Sequence, residues 1–341
     1  MSRPRLLSLR VLFFTALAAT LVFSSSALAG QSLMSELPTG HNTVIVVDLT
    51  ELRDSPLYKQ GVQMVKSHPG AAAGLQQVEQ EWGVNLEEDI SALVIASDSP
   101  PINAQMLSDP AAMLENPGSQ QTEGALVLIR GNFDAPALLA KIADVDDDAD
   151  PPSYFREDGV EVRALDGRTL AVAGGQDSYL DRMRQSLQGD RSGPGSVFDG
   201  GIRSLGASQG LYMMVQPSIA DPDAMRDEVG ATLSFGGIAI DLTDSEIRFG
   251  GLARLGSEEE ATSTVEQVDE VRQELAGNPL LSVFGVRPLV DNLSVRQDDG
   301  DVIVRTSMTN RQASRLISRL QSLAQTQQGL QNPLQGPGLG N

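Results

Sequence analysis

The chain has 341 residues, no cysteine, and 45 acidic against 25 basic side chains, a formal net charge of −20. Without cysteine it can be neither a disulfide-stapled scaffold nor a protein lipidated on an N-terminal cysteine. A surface this acidic repels nucleic-acid phosphates and anionic lipid heads, so nucleic-acid binding is excluded as a primary role.

At the N-terminus, Arg3, Arg5 and Arg10 precede the apolar run Val11 to Phe23, which ends in Ser24-Ser25-Ser26-Ala27-Leu28-Ala29. A basic start, a short apolar middle and an Ala-x-Ala end are the parts of a secretory signal peptide. Ala27 and Ala29 suit the shallow pockets of signal peptidase, so cleavage before Gly30 is expected. The competing reading, an uncleaved anchor, is weaker because the run is short and its end is serine-rich. Residues 1–29 hold three arginines and no acid, so the mature chain would carry 22 basic and 45 acidic side chains, a net −23. The expected location is exported, periplasmic or extracellular, with no membrane span after cleavage.

Residues 30–42 read as an extended lead-in, and Thr43–Leu49 as a strand by its β-branching. Ser55-Pro56 is a helix start that runs to about Trp82, broken near His68-Pro69-Gly70. Ala92–Ser97 is a second strand, and 98–123 a polar surface insertion. Gly124–Arg130 is a third strand; Asp134 caps a helix from Ala135. Short strands follow near Tyr154, over Val160–Ala164 and over Thr169–Ala173, then a helix from Asp177 to Leu187. The Gly- and Pro-rich residues 188–197 are the expected linker.

The second half repeats the order. Leu211–Gln216 is a strand, Ser218–Asp221 starts a short helix, and Ile238–Leu242 with Glu246–Arg254 forms a hairpin. Ser257 and Glu260 make a capping box for a helix to about Leu275. A second hairpin spans Leu293 to Met308, turning at Asp298-Asp299-Gly300. Thr309 and Gln312 are another capping box, and the last helix reaches about Ala324. Residues 325–341 are rich in Gln, Gly and Pro and are expected to be disordered. Asp166-Gly167-Arg168 with its following strand and helix matches Asp299-Gly300-Asp301 and its followers at a constant offset of 133 residues. The expected fold is therefore α+β, with two similar halves (30–187 and 198–324), each a mostly antiparallel sheet with helices on one face.

The paired halves, Val47-Asp48-Leu49 followed by Ser55-Pro56, and Val127-Leu128-Ile129-Arg130-Gly131 resemble exported bacterial proteins of unknown function built from two α+β repeats. That resemblance implies a fold type and an envelope location, and brings no catalytic residues with it.

Chemical motifs fail on context. Gly206-Ala207-Ser208-Gln209-Gly210 has the G-x-S-x-G pattern, but a nucleophile elbow needs a strand before the serine and a histidine after it. Here the strand follows, and both histidines, His41 and His68, lie upstream; each reads as a surface residue. No catalytic, cofactor or metal residue is assigned. The acidic run Asp144–Asp150 has EF-hand spacing counted from Asp146, but Pro151 stands where the loop needs glycine at positive φ, so tight calcium binding is not expected. On the last helix, Arg311, Arg315 and Arg319 form a stripe at i, i+4 opposite an apolar stripe that includes Ala313, Leu316, Ile317 and Leu320. That stripe is the candidate partner contact. The expected function is non-catalytic binding of an envelope protein or polymer. The alternatives are a carboxylate-dependent hydrolase, which needs only Asp and Glu, and a calcium-dependent adhesion module.

Overall fold

The computed structural model describes residues 27–50, 52–67, 69–98, 124–142, 154–157, 159–189, 191–206, 210–217 and 231–319. Helix α1 (Ala27–Met34) leads into β1 (Thr43–Asp48) and a 3-10 turn at Leu52–Asp54. Helices α2 (Pro56–Ser67) and α3 (Pro69–Trp82) precede β2 (Ile90–Ser97) and β3 (Gly124–Gly131). Then come α4 (Ala135–Ile142), β4 (Tyr154–Glu157), β5 (Val160–Asp166), β6 (Thr169–Gly175) and α5 (Asp177–Gly189). Helix α6 (Ser196–Leu205) opens the second part, followed by β7 (Leu211–Val215), β8 (Leu233–Leu242) and β9 (Glu246–Leu255). Helices α7 (Glu258–Ala276), α8 (Leu280–Phe284) and α9 (Arg287–Asp291) precede β10 (Ser294–Asp298) and β11 (Asp301–Thr309). Residues 310–319 are helical and are called α10.

The eleven strands of the described residues form one antiparallel sheet, ordered β10-β11-β9-β8-β7-β1-β2-β3-β6-β5-β4. The join is β1, which pairs with β2 on one side and β7 on the other, so that Val46 lies between Val94 and Tyr212. The α+β class and the antiparallel pairing follow the sequence expectation. The halves, however, share one sheet, and helices cover both of its faces. On the first face Val47, Leu93, Ile95, Val127 and Ile129 pack under α2, α3 and α4. On the second, Val44, Val46, Val94, Leu126 and Leu128 pack under α1, α5 and α6. The reason lies in the central strands: β2 and β3 are apolar at both parities, so neither face can be left to water.

Outward from β1 the order is β1-β2-β3-β6-β5, and outward from β7 it is β7-β8-β9-β11-β10. The strands on the two sides thus have the same order, and the aligned Asp-Gly turns join β5 to β6 and β10 to β11. The closing helices break the match. Helix α5 buries Tyr179, Leu180, Met183 and Leu187 on the second face, whereas α10 places Ala313, Leu316 and Ile317 on the first. The 133-residue offset therefore holds for the hairpin and fails for the helix after it. On the side of β7–β9 the second face is already covered by α6, through Phe198, Ile202 and Leu205, and the chain turns to the open side.

The lead-in also departs from expectation. Residues 27–34 are helical, not extended, because Leu33, Met34 and Leu37 can then enter the second-face core together. The insertion at 99–123, the acidic run Asp144–Asp150, the start at Ser218–Asp221 and the tail 325–341 lie outside the described residues. Residues 191–195 of the expected linker lie against the lead-in, where Arg191 pairs with Glu36 at 2.9 Å and the Gly193 amide donates to the Leu37 carbonyl at 2.9 Å.

Packing is close where α6 meets β8. A Cβ added to Gly201 would sit 2.4 Å from Cε1 of Phe235, and Phe235 is itself wedged edge-on against Phe198 at 5.5 Å between ring centres. Gly201→Ala is expected to lower stability by about 1–3 kcal/mol through overpacking, read as a lower denaturant midpoint with an unchanged slope. An unchanged midpoint would show that α6 is free to shift away from the sheet.

Candidate functional site

The Thr309–Gln312 capping box forms as expected: Gln312 Oε1 accepts from the Thr309 amide and hydroxyl, each at 2.8 Å, and the Gln312 amide donates to Thr309 Oγ1 at 3.3 Å. This start sets the phase of α10. Ala313, Leu316 and Ile317 turn to the core, and Arg311, Arg315 and Arg319 are all exposed. Arg319 Nη1 donates to the Val283 carbonyl in α8. Among the described residues Arg311 and Arg315 make no ion pair.

That contact brings a second feature beside the arginines, one missed by sequence reasoning. Helix α7 begins on a Ser257 cap whose Oγ accepts from the Glu260 amide at 3.2 Å. Glu260 turns its carboxylate to the Thr232 and Gly256 amides, not back to Ser257. Only the first half of α7 is held by the core, through Ala261 and Val265. Farther on, Val268, Val271 and Leu275 line an open groove with Thr264, Gln267, Arg272 and Leu293. Val271 is 52% exposed; just beyond, Leu280 and Val283 on α8 are 57% and 63% exposed. Bare apolar side chains that form a patch mark interaction surface more often than scattered ones do. The signals that α8 and α9 exist were Pro279 and Pro288, which sit at the helix starts where proline is tolerated.

The histidine expected at the surface is buried. His41 is 3% exposed; its Nδ1 lies 3.2 Å from the Pro38 carbonyl and its Nε2 3.2 Å from the Tyr179 hydroxyl. A carbonyl only accepts, so Nδ1 carries the proton and Nε2 accepts from Tyr179. The Arg182 guanidinium lies 5.1 Å from the centre of the Tyr179 ring and pairs with Asp98. Burial is the main cause that lowers the His41 pKa, against the smaller opposing pull of the Pro38 carbonyl. Burial also raises that of Tyr179. No sequence pattern announced this pair, because its partners are 138 residues apart. His68 lies outside the described residues.

Gly206–Gly210 falls between helix α6 and strand β7, the reverse of an elbow; 207–209 themselves are not among the described residues. The described residues contain no group of three or more His, Asp or Glu placed to hold a metal ion. Nor, among them, is any helix long and apolar enough to cross a membrane. The signal-cleavage residues Ala27, Ala29 and Gly30 all lie on α1.

Comparison with known proteins adds little. No protein-family model and no curated protein matches the chain. Among solved structures, crystal form I of TP0453 aligns at 11% identity over 84% of this chain and 97% of that one, with a TM-score of 0.41. Crystal form III aligns at 11% identity over the same shares, with a TM-score of 0.44.

The His41 environment gives a pH test. Its folded pKa lies below the ordinary value of about 6.5, so the unfolded chain takes up the proton first as pH falls. The stability that neutral His41 contributes is present above about pH 6.5 and is lost as pH falls through the lowered folded value. Denaturation midpoints are expected to drop between pH 7.5 and pH 5.5 in the wild type, and to drop less in His41→Gln. Equal drops in both proteins would show that His41 is not the titrating group.

Proposed function

We propose that this is an exported, non-catalytic envelope protein that binds a protein or polymer partner, and that it does so through the surface formed by α7, α8 and α10. The observation that carries the reading is the bond from Arg319 to the Val283 carbonyl, which sets the exposed arginine face of α10 beside the bare apolar side chains of α8, Leu280 and Val283. An apolar centre with an arginine rim is the composition of a recognition surface, since arginine binds carboxylates in a fixed fork and the apolar area supplies burial. On a molecule of net charge −20, a positive stripe beside that patch favours a partner segment that is apolar on one side and acidic on the other. The basic-apolar-small N-terminal pattern supports export.

Catalysis is the weaker reading. Acid–base and nucleophilic chemistry near neutral pH draws mostly on histidine, cysteine, activated serine or lysine. This chain has no cysteine and two histidines, and His41 is held neutral inside the fold.

The test is capture from an envelope extract with purified wild type, an Arg311/Arg315/Arg319→Glu triple variant and a Leu280→Ser/Val283→Ser double variant. Both variants change exposed residues; because Arg319 also donates to the Val283 carbonyl, the unfolding midpoint of each is measured beside capture, and an Arg311/Arg315→Glu double variant keeps that bond. A partner held by the wild type is expected to be lost by about tenfold or more in each, since removing a central contact costs at least ~1–2 kcal/mol. Equal capture by all three would remove this surface. A turnover in a hydrolase screen that survives purification and vanishes on mutating one Asp or Glu would sink the non-catalytic reading.

A further inference from the structure

We infer that Asp48 is the receiving site for the new N-terminus made by signal cleavage, so that the α-ammonium of Gly30 is held as a buried ion pair at the end of the central strand. The inference rests on the export reading above. It starts from the first turn of α1. Gly30 is the fourth residue of that helix, and its amide donates to Asp48 Oδ2 at 3.1 Å. Asp48 is 1% exposed. Its Oδ1 accepts from the Thr50 amide at 3.0 Å and from the Thr50 hydroxyl, which fixes the carboxylate with Oδ2 toward α1.

The approach is close enough to dictate the residue. A Cβ on Gly30 would stand 2.6 Å from Cγ1 of Val46, and Val46 is in the second-face core. Leu33 and Met34, the next apolar residues of α1, are buried in the same core. The nitrogen of residue 30 is thus held against β1 from both sides in sequence: by glycine's lack of a side chain, and by the anchor that follows it.

Cleavage changes what that nitrogen is. Hydrolysis of the Ala29–Gly30 amide by signal peptidase adds the hydroxyl of water to the Ala29 carbonyl carbon and its hydrogen to the Gly30 nitrogen. The proton of the new carboxylic acid is given up and the amine takes one from solvent, leaving a carboxylate on the departing peptide and an ammonium on Gly30. A neutral amide donor facing a buried carboxylate becomes a full positive charge with three donors. Charge-assisted bonds are about twice as strong as neutral ones, and a buried pair is poorly screened. A positive charge at a helix start opposes the helix dipole, and the carboxylate at this distance offsets it. The mature chain is therefore more firmly closed at α1 than the precursor.

Four proteins test this: residues 30–341 with a free N-terminus, residues 27–341 retaining Ala27-Leu28-Ala29, and each with Asp48→Asn. At pH 7 the free Gly30 form is expected to melt about 3–6 °C above the extended form, and that gap is expected to close when Asp48 is replaced. If Asp48→Asn costs the two forms equally, Asp48 is only a structural acceptor and the pairing is overturned. Should the Asp48→Asn proteins fail to fold, the α-amine of the wild-type 30–341 chain is reacted with an amine acylating reagent at neutral pH. Slowing by about tenfold or more relative to the urea-unfolded chain supports the pair; equal rates overturn it. N-terminal sequencing of the exported protein is a separate arm. A start other than Gly30 overturns the processing premise, whatever the melting data say of the pair.

Discussion

Everything in this fold hangs on β1. Among the described residues it alone connects the strands before residue 176 to those after residue 210 within the sheet, bonded to β2 along one edge and to β7 along the other. Both of its faces are buried, Val47 toward one core and Val44 and Val46 toward the other. A one-residue slip would exchange these sets and disturb both cores at once, so the register is held by packing on two sides and by ladders on two edges. The Asp48 amide extends the bonding by donating to the Gly210 carbonyl at 2.9 Å.

Polar groups act as ties between distant segments. His41 and Tyr179 join the lead-in to α5 across the end of the first sheet half. Asp301 and Arg254 pair at 2.7 and 2.9 Å across neighbouring strands, and the Arg254 guanidinium lies 5.7 Å from the centre of the Phe235 ring. That side-chain bond is the main reason the Arg254 pKa is raised. Asp301 also receives the Ser204 hydroxyl at 3.4 Å, so α6, β9 and β11 meet at one carboxylate. Buried charges cost desolvation unless they are paired and bonded, and here each carboxylate has donors from separate elements.

Binding surface and core are separated by the same logic. Helix α7 commits Ala261 and Val265 to packing under β10 and β11 and leaves Val271 and Leu275 bare. The sheet is narrowing toward its β10 edge at that point, so there is no strand left to cover the rest of the helix. The exposed end of α7, together with α8 and the arginines of α10, is therefore a consequence of where the sheet stops.

The sequence by itself determined most of the strands and the longer helices. Strands came from β-branching and alternation, and the helix starts at Ser55-Pro56, Asp134, Ser257 and Thr309 came from side-chain oxygens that accept backbone amides locally. The phase of α10, and with it the exposure of Arg311, Arg315 and Arg319, followed from an apolar stripe within one helix. Tertiary structure alone decided what depends on partners far along the chain. That β1 joins two halves into one sheet is a matter of edge pairing, which leaves no local pattern. That His41 is buried depends on Tyr179, and that α5 and α10 take opposite faces depends on whether α6 had already covered the second one. Gly30 looked like the residue after a cleavage site, and Asp48 like the next-to-last residue of a strand. Only their separation of 3.1 Å joins the two, because a contact across a fold is set by the packing of α1 on β1 and not by the spacing of residues in the chain.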